Sequence, residues 1–455
     1  MNNLQLTNSL TNKKEIFNPI NKDKVSLYAC GPTVYDNPHV GNARALVVFD
    51  LLFRILIELY GEKKVTYVRN ITDIDDKIIE AAKRKKIDIS DLTKSVTEKF
   101  HKDCKILFCL NPTKEPKATD HVEGMINMTK ELIEKNAAYE KEGHVFFAVT
   151  SFKKYGKLSN KNPDDLKAGA RVEVSKLKND PLDFVLWKPS NNNDPGWESP
   201  WGRGRPGWHL ECSVMSEKYL GKNFDIHGGG LDLIFPHHEN EIAQSCVYNG
   251  TDKFANYWVH NGFVTMNKEK MSKSLGNIIS VKDAADKYRG ETLRAALLSA
   301  HYRAPLDLSD HVMRDARNGL DRMYRAVGEN VATPDRVDEE FTACLLDDLN
   351  TPAALARLHE LARLANKGDA EAGKALKSSA ATIGLLQQTA SAWAKADETG
   401  NGNRMDDAAI DALVRARKEA REVRDFAKAD EIRDQLARVD IILEDSNDGT
   451  IWRRR

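Results

Sequence analysis

The chain has 455 residues, carries 68 basic and 68 acidic side chains, and is 41% hydrophobic and 30% charged. That length is too great for one core and predicts about three or four domains of a soluble globular protein. A net charge of zero excludes indiscriminate polyanion binding, so a nucleic-acid partner would be met by local patches.

The N-terminus is polar and lacks the apolar core of a secretory signal, and no stretch approaches the roughly 18 apolar residues of a membrane span. The six cysteines, at 30, 104, 109, 212, 246 and 344, are sparse and unpaired in pattern. Both features lead to the expectation of a cytoplasmic protein with reduced thiols.

Residues 24–30 read as a short buried strand, ended by a Pro- and Gly-containing loop over 31–38. A helix is expected from Ala43 to about Tyr60, stopping at Gly61, with a second strand over 65–70. Strand, helix, strand with a long first turn opens a doubly wound nucleotide-binding sheet, an α/β class. Ligands of such sheets bind beyond the carboxyl ends of the strands, which puts Cys30, His39 and residues 70–76 at a site. The helix start at Asn42 offers free N–H groups to a phosphate, although the loop is neither a P-loop nor GxGxxG.

From 90 to 187 the texture changes to two helical segments (about 91–107 and 118–136), a hairpin over 138–147 and Asn-, Lys- and Asp-rich loops. This reads as an insertion in the sheet domain. Asp120 and His121 within it are assigned to helix surface. Residues 189–207 read as a loop, and a helix follows from Trp208 through Tyr219. Strands are expected near 224–226 and 254–259, with a helix over 237–249 between them.

The stretch FDIHGGGLDLIFPHHENE (224–241) combines three unlike features. Its glycine triplet leaves room for close backbone approach, Asp232 is an isolated acid in an apolar run, and Pro236 marks a helix entry. His237 and Glu241 then stand one turn apart and can ligate one ion, while His238 and Glu239 point elsewhere. A capped helix with solvated charges is the plainer alternative. Residues 268–276 carry three lysines and suit either a phosphate-clamping loop or a solvated one.

Near residue 313 the vocabulary shifts to Ala, Arg and Asp, which marks a boundary and an all-α C-terminal half. Helices are expected over 313–331, 336–367, 369–396 and 406–438, the last with Val423, Phe426, Ile432, Leu436 and Val439 on one face. The tail reads as a hairpin turning at 447–449. Its Trp452 and arginines suit stacking on an unpaired base or, equally, a frayed basic terminus.

Taken in order, these segments closely resemble the cysteinyl-tRNA synthetases, a class I family, over most of the chain. CGPTVYDNPHVGNAR (30–44) resembles the family's first nucleotide motif, usually named HIGH, and KMSKS (270–274) is identical to the second. GWHLECS (207–213), DIHGGG (225–230) and FPHHENE (235–241) resemble its zinc and cysteine pocket. DDLNTPAAL (347–355) is similar to the helical domain, and DFAKADEIRDQL with GTIWRR to the anticodon-binding end.

The resemblance implies a Rossmann-like sheet in two halves (1–90 and 201–262), a connective insertion (91–200) and a KMSKS and stem-contact region (263–312). A helical bundle (313–400) and an anticodon-binding region (401–455) complete it. It implies one Zn²⁺ per chain on Cys30, Cys212, His237 and Glu241. That donor set suits a borderline-soft cation, whereas Cys104, Cys109, Cys246 and Cys344 are taken as packing residues. ATP with Mg²⁺ is implied as a substrate, with His39, Lys270 and Lys273 on its phosphates and Gly41 and Asn42 in the phosphate-facing turn. Gly229, Gly230 and Asp232 face its ribose and adenine. Gly31, Thr72, Trp208 and His227 resemble substrate-pocket residues, and Arg433, Asp448 and Trp452 are the expected anticodon contacts.

The implied activity is adenylation of L-cysteine followed by transfer to tRNA(Cys), by a monomer, with the metal selecting sulfur over oxygen. One departure is Asn42, where the motif's name has its second histidine. A ligase joining cysteine to a small amine, and a non-catalytic tRNA-binding paralogue, are the rival readings. The helical half and Trp-bearing tail count against the first, and the intact His39, Lys273 and ligand positions against the second.

Overall fold

The computed structural model describes residues 3–161, 176–266, 269–270, 279–395, 405–439, 441–446 and 449–454. The chain divides into two compact units. One consists of Met1–Val281, Ala300–Leu308 and Ala343–Ala353, the other of Lys282–Ser299, Ser309–Thr342 and Ala354–Arg455.

The first unit opens with a hairpin, β1 (Gln5–Asn8) and β2 (Lys13–Ile16), and then lays down β3 (Val25–Ala29). All five residues of β3 are buried, as expected of a parallel strand covered on both faces. α1 (Val40–Tyr60) crosses over to β4 (Val65–Arg69). The helix begins three residues before the expected Ala43 because His39 serves as its N-cap: the His39 N–H donates to the Asn42 side-chain oxygen at 3.2 Å. It ends at Gly61, whose φ of +90° suits glycine alone.

α2 (Asp76–Lys85), α3 (Ile89–Ile106) and α4 (Val122–Glu134) follow, then an antiparallel sheet of β5 (Ala138–Lys141), β6 (His144–Phe147), β7 (Phe184–Pro189) and β8 (Gly204–Pro206). β8 lies inside the stretch expected to be loop. Its Gly204 runs so close to Trp187 that a Cβ would stand 2.4 Å from the indole nitrogen. The segment 138–189 is not packed apart from the sheet domain: Tyr28, Met125, Phe147, Trp187 and Trp258 belong to one continuous apolar core.

α5 (Trp208–Leu220) returns the chain to β9 (Phe224–Gly230), and α6 (Glu239–Asn249) leads on to β10 (Ala255–Asn261). The central sheet is parallel throughout, in the order β10-β9-β3-β4, with Leu27 opposite both Ile226 and Tyr67. The chain therefore winds one way from β3 and the other way from β9. The two central strands bound a topological switch point.

Beyond the sheet come β11 (Val264–Met266), β12 (Glu269–Lys270), α7 (Val281–Tyr288), α8 (Gly290–Leu298), β13 (Leu306–Asp307) and α9 (Asp310–Val327). A single helix was expected over 336–367. It is instead α10 (Glu339–Leu346) and α11 (Thr351–Ala365), because Asp348 and Leu349 take left-handed backbone (φ 58° and 52°). The Asp348 carboxylate accepts the Thr7 N–H and hydroxyl at 2.7 and 2.5 Å and the Tyr302 hydroxyl at 2.9 Å. The break therefore serves the first unit, to which residues 343–353 belong.

In the second unit the remaining expected helices are also broken. α12 (Ala370–Thr382) and α13 (Ala390–Lys395) replace one, and α14 (Asp407–Glu422) and α15 (Phe426–Ala437) the other. Arg424 interrupts the last pair at φ 62°. The interruption resets the helical phase, so Ile432 and Leu436 are buried while Val423 and Phe426 stand 76% and 61% exposed. A closing hairpin, β14 (Ile441–Ser446) and β15 (Gly449–Arg454), pairs Ile441 with Arg454 and Ser446 with Gly449.

Gly228 tests how tightly α1 rests on the sheet, since a Cβ there would lie 2.1 Å from the buried Phe49 ring. Gly228→Ala is expected to lower stability by about 1–3 kcal/mol in urea unfolding, the usual cost of overpacking. An unchanged midpoint would mean that the α1–sheet interface yields freely.

Candidate active site and metal cluster

Open α/β sheets bind ligands where the strand order reverses, here beyond the carboxyl ends of β3 and β9. β3 delivers Cys30, whose N–H donates to the Gly228 carbonyl at 3.1 Å. Gly31 follows, and a Cβ on it would fall 1.6 Å from the Asn70 carbonyl oxygen, so no other residue fits. Its N–H is held by the Asn70 side-chain oxygen at 2.9 Å.

Three further segments converge there. The second turn of α5 brings Cys212, a wide turn over Ile234–His238 brings His237 and His238, and the first turn of α6 brings Glu241. Phe235 breaks the path at φ −136°, and the backbone after it is helical through His238 into α6, so the chain enters the helix at Pro236 as expected. The Glu241 carboxylate meets His237 Nε2 at 3.0 Å through one oxygen and His227 Nε2 at 2.8 Å through the other. Cys30 Sγ lies 3.7 Å from Cys212 Sγ and 3.3 Å from His238 Nε2. Behind His238 a chain of bonds runs through His260 to Ser9, each 2.8 Å.

Two overlapping quartets have donor atoms within 4.8 Å of one another: Cys30, Cys212, His237 and Glu241, and Cys30, His227, His238 and Glu241. Either set could hold an ion. A ligating imidazole needs a partner for its other ring nitrogen. His237 has one, with its Nδ1 3.0 Å from His209 Nδ1. The buried Nδ1 of His227 has none among the described residues. The first quartet therefore fits a cation better, and its two sulfurs, one imidazole and one carboxylate are a zinc-type donor set.

The charges of the cluster are strongly interdependent. Burial would raise the Glu241 carboxyl, yet His227 and His237 hold it down at about 2. Burial likewise opposes a charge on His237, but Glu241 and Cys212 raise it to about 10. Cys212 is lowered by the hydrogen bond from Cys30, whose own thiol burial pushes well up. His209 is held neutral at about 3 by burial and by His237.

The other expected site residues are placed as follows. Trp208 stacks on His237 (centroids 4.1 Å apart, 19° between planes) and is 36% exposed, a rim over the cluster. Thr72 is buried and donates its hydroxyl to Glu211 at 2.9 Å. His227 is fully buried, stacked on Trp258. The room left by the glycine triplet is taken by protein: Phe49 at Gly228, His238 and Leu233 at Gly229, Asp232 at Gly230. Asp232 itself is exposed in a short turn, Leu231–Leu233. His39, Gly41 and Asn42 form the start of α1, and the Asn42 amide there binds the His39 backbone. Lys270 pairs with Thr265 across β11 and β12. Lys273 and Asp448 lie outside the described residues.

Arg433 is exposed on α15 beside Asp430 and Asp434. Trp452 corrects the expectation of a base-stacking tail. Its ring is 4% exposed, packed with Ile410, Ile432, Leu436 and Ile441, and its N–H donates to Asp411 at 2.6 Å. An indole so enclosed presents no face to a base. Sequence reasoning placed Asn70 at the site with residues 70–76 but missed Glu211 and His260. Neither of those two carried a positional signal.

Comparison with known proteins decides the family. Residues 16–318 match the catalytic domain of tRNA synthetases class I (C), 340–392 the DALR domain and 407–453 the cysteinyl-tRNA ligase anticodon binding domain. The cysteine–tRNA ligase of Pelagibacter ubique is 51% identical over 450 residues, 98% of each chain, and that of Rickettsia prowazekii 49% identical over 462 residues, 99% of each. The chain belongs to the cysteine–tRNA ligase family. It is an enzyme, an ATP-dependent class I aminoacyl-tRNA synthetase.

The fold agrees. Methionyl-tRNA synthetase from Mycobacterium tuberculosis, solved with methionyl-adenylate, superposes with a TM-score of 0.58 at 15% identity, covering 79% of this chain and 89% of that one. The LeuRS of Agrobacterium radiobacter K84, solved in a ternary complex with tRNA and LeuAMS, gives 0.53 at 10% identity, covering 81% and 83%. The expected α/β class with a helical C-terminal part is thus borne out. No helix among the described residues is long and apolar enough to cross a membrane.

The corrected role of Trp452 can be measured. Trp452→Ala is expected to destabilise the second unit by about 3–5 kcal/mol, the range for emptying a buried aromatic site. A thermal midpoint like that of the parent protein would instead return Trp452 to the surface.

Proposed function

We propose that Cys30, Cys212, His237 and Glu241 hold one Zn²⁺ and that this cluster selects L-cysteine in a synthetase that charges tRNA(Cys). As a family member the enzyme activates cysteine with ATP and transfers it to its tRNA. The observation that carries the zinc reading is the convergence of two sulfurs, an imidazole and a carboxylate within 4.8 Å of one another at the switch point.

Cysteine and serine are near isosteres, and a pocket of ordinary side chains separates such pairs by only about 10–200-fold. A bound Zn²⁺ would supply a soft Lewis acid that prefers a thiolate to a hydroxyl. The protein's own part is orientation. His209 and His227 fix the His237 ring and the Glu241 carboxylate, and Trp208 shields the imidazole from water.

Adenylation needs no side-chain nucleophile: the cysteine carboxylate displaces pyrophosphate from the α-phosphorus of ATP. Positioning and charge stabilisation carry that step. In this reading His39, Lys270 and Lys273 lie on the phosphates, with Gly41 and Asn42 in the turn beneath them. Asp232 receives the ribose hydroxyls, and Gly31, Thr72 and Trp208 border the amino acid. The matches at 340–392 and 407–453 favour tRNA over a small amine as acceptor, because a small acceptor needs no anticodon-binding region.

The test is ATP–pyrophosphate exchange with cysteine and with serine, on metal-replete and chelated enzyme, beside zinc content. Exchange is expected to require cysteine, to reject serine by more than the roughly 200-fold of an ordinary pocket, and to collapse on chelation. Undiminished cysteine exchange in zinc-free protein would sink the selector role.

A further inference from the structure

Arg44 lies on α1, in the same HVGNAR run as His39, and its side chain is fully buried. It has no acidic partner among the described residues, and burial alone pulls its guanidinium down to about 10. Burying a charge without a counter-charge is costly, so its presence in an apolar helix face calls for a compensating role.

The guanidinium acts as a fork. Nη1 donates to the Phe263 carbonyl at 2.8 Å and Nη2 to the His301 carbonyl at 3.0 Å. Phe263 immediately precedes β11, and its carbonyl also accepts the Leu306 N–H at 2.9 Å. β11 runs parallel to β13 and pairs through Thr265 with Lys270 on β12. Arg44 thus grips the root of the hairpin that carries Lys270.

The far end of the same stretch is also returned to α1, by backbone alone. Val40 N–H donates to the Ile279 carbonyl at 3.1 Å, Val281 N–H to the Pro38 carbonyl at 3.2 Å, and His39 bridges Ser280. These bonds survive most substitutions. At the Phe263 end, the link from α1 that a side chain provides is Arg44.

We propose that Arg44 is a positioning residue for adenylate formation, setting the Lys270-bearing hairpin against the His39 end of α1. The proposal rests on the reading that His39 and Lys270 act on the ATP phosphates. Lysine cannot replace the fork, because one ammonium is a point donor on a flexible stem. Methionine fills a similar length without a buried charge. It would spare stability while removing the grip.

Arg44→Met, Arg44→Lys, Lys270→Ala and the Arg44→Met/Lys270→Ala double variant, made in the full-length enzyme, test this by cysteine-dependent pyrophosphate exchange, zinc content and thermal unfolding. The expected result for Arg44→Met is a fall of about 100-fold in exchange kcat, the scale of a misplaced catalytic group. Its KM for cysteine, zinc content and thermal midpoint should stay at parental values. Arg44→Lys, which keeps the charge but not the fork, should lose most of the same activity. Because Arg44 acts through the hairpin, adding Arg44→Met to Lys270→Ala should cost little more.

Full additivity in the double variant, or losses in Arg44→Met that merely track lost folded protein, would overturn the proposal alone. Lys270→Ala exchanging at the parental rate would overturn the reading of Lys270 and the proposal with it.

Discussion

A carboxylate with no access to water must be answered by positive charge or protons, and Glu241 is answered twice. His237 meets one oxygen and His227 the other, and each imidazole is itself fixed by a neighbour, His209 or Trp258. Everything else at the switch point is arranged around that demand. Cys30 and Cys212 share a hydrogen bond in the same volume, so the protein has gathered acceptors and soft donors where hydrocarbon would be cheaper. Such a cluster could hold a metal ion.

The fold makes that cluster from distant parts of the sequence. Cys30 ends the first strand of the sheet, while Cys212 and Glu241 arrive on two helices some two hundred residues later. Only a sheet whose winding reverses between β3 and β9 brings those ends together. The apolar side chains between Ala118 and Trp187 do not disturb this, because they belong to the same core as the sheet strands.

Much of this was legible in the sequence where the signal is local. The buried strand at Val25–Ala29, the long helix after it and the His237–Glu241 pair follow from periodicity and spacing. The parts that escaped depend on partners far along the chain. Asp348 breaks a helix because Thr7 and Tyr302 need its carboxylate. Trp452 resembled a stacking residue but fills the core of its own small unit. Val423 and Phe426 looked like core until a left-handed residue, Arg424, shifted the helix phase beneath them. His260 carried no signal, since its role exists only through His238.

The bond between Asp348 and the N-terminal hairpin bears on how the protein is made. The first compact unit includes residues 343–353, so it is unfinished when the ribosome has completed its sheet. Domains generally fold as they emerge, at about 5–20 residues per second. Here the Thr7 hydroxyl and N–H must wait, solvated, while more than three hundred residues are synthesised. The last bolt of the catalytic unit is thus delivered by a segment flanked on both sides by the helical unit, and a fragment cut after the sheet would lack it.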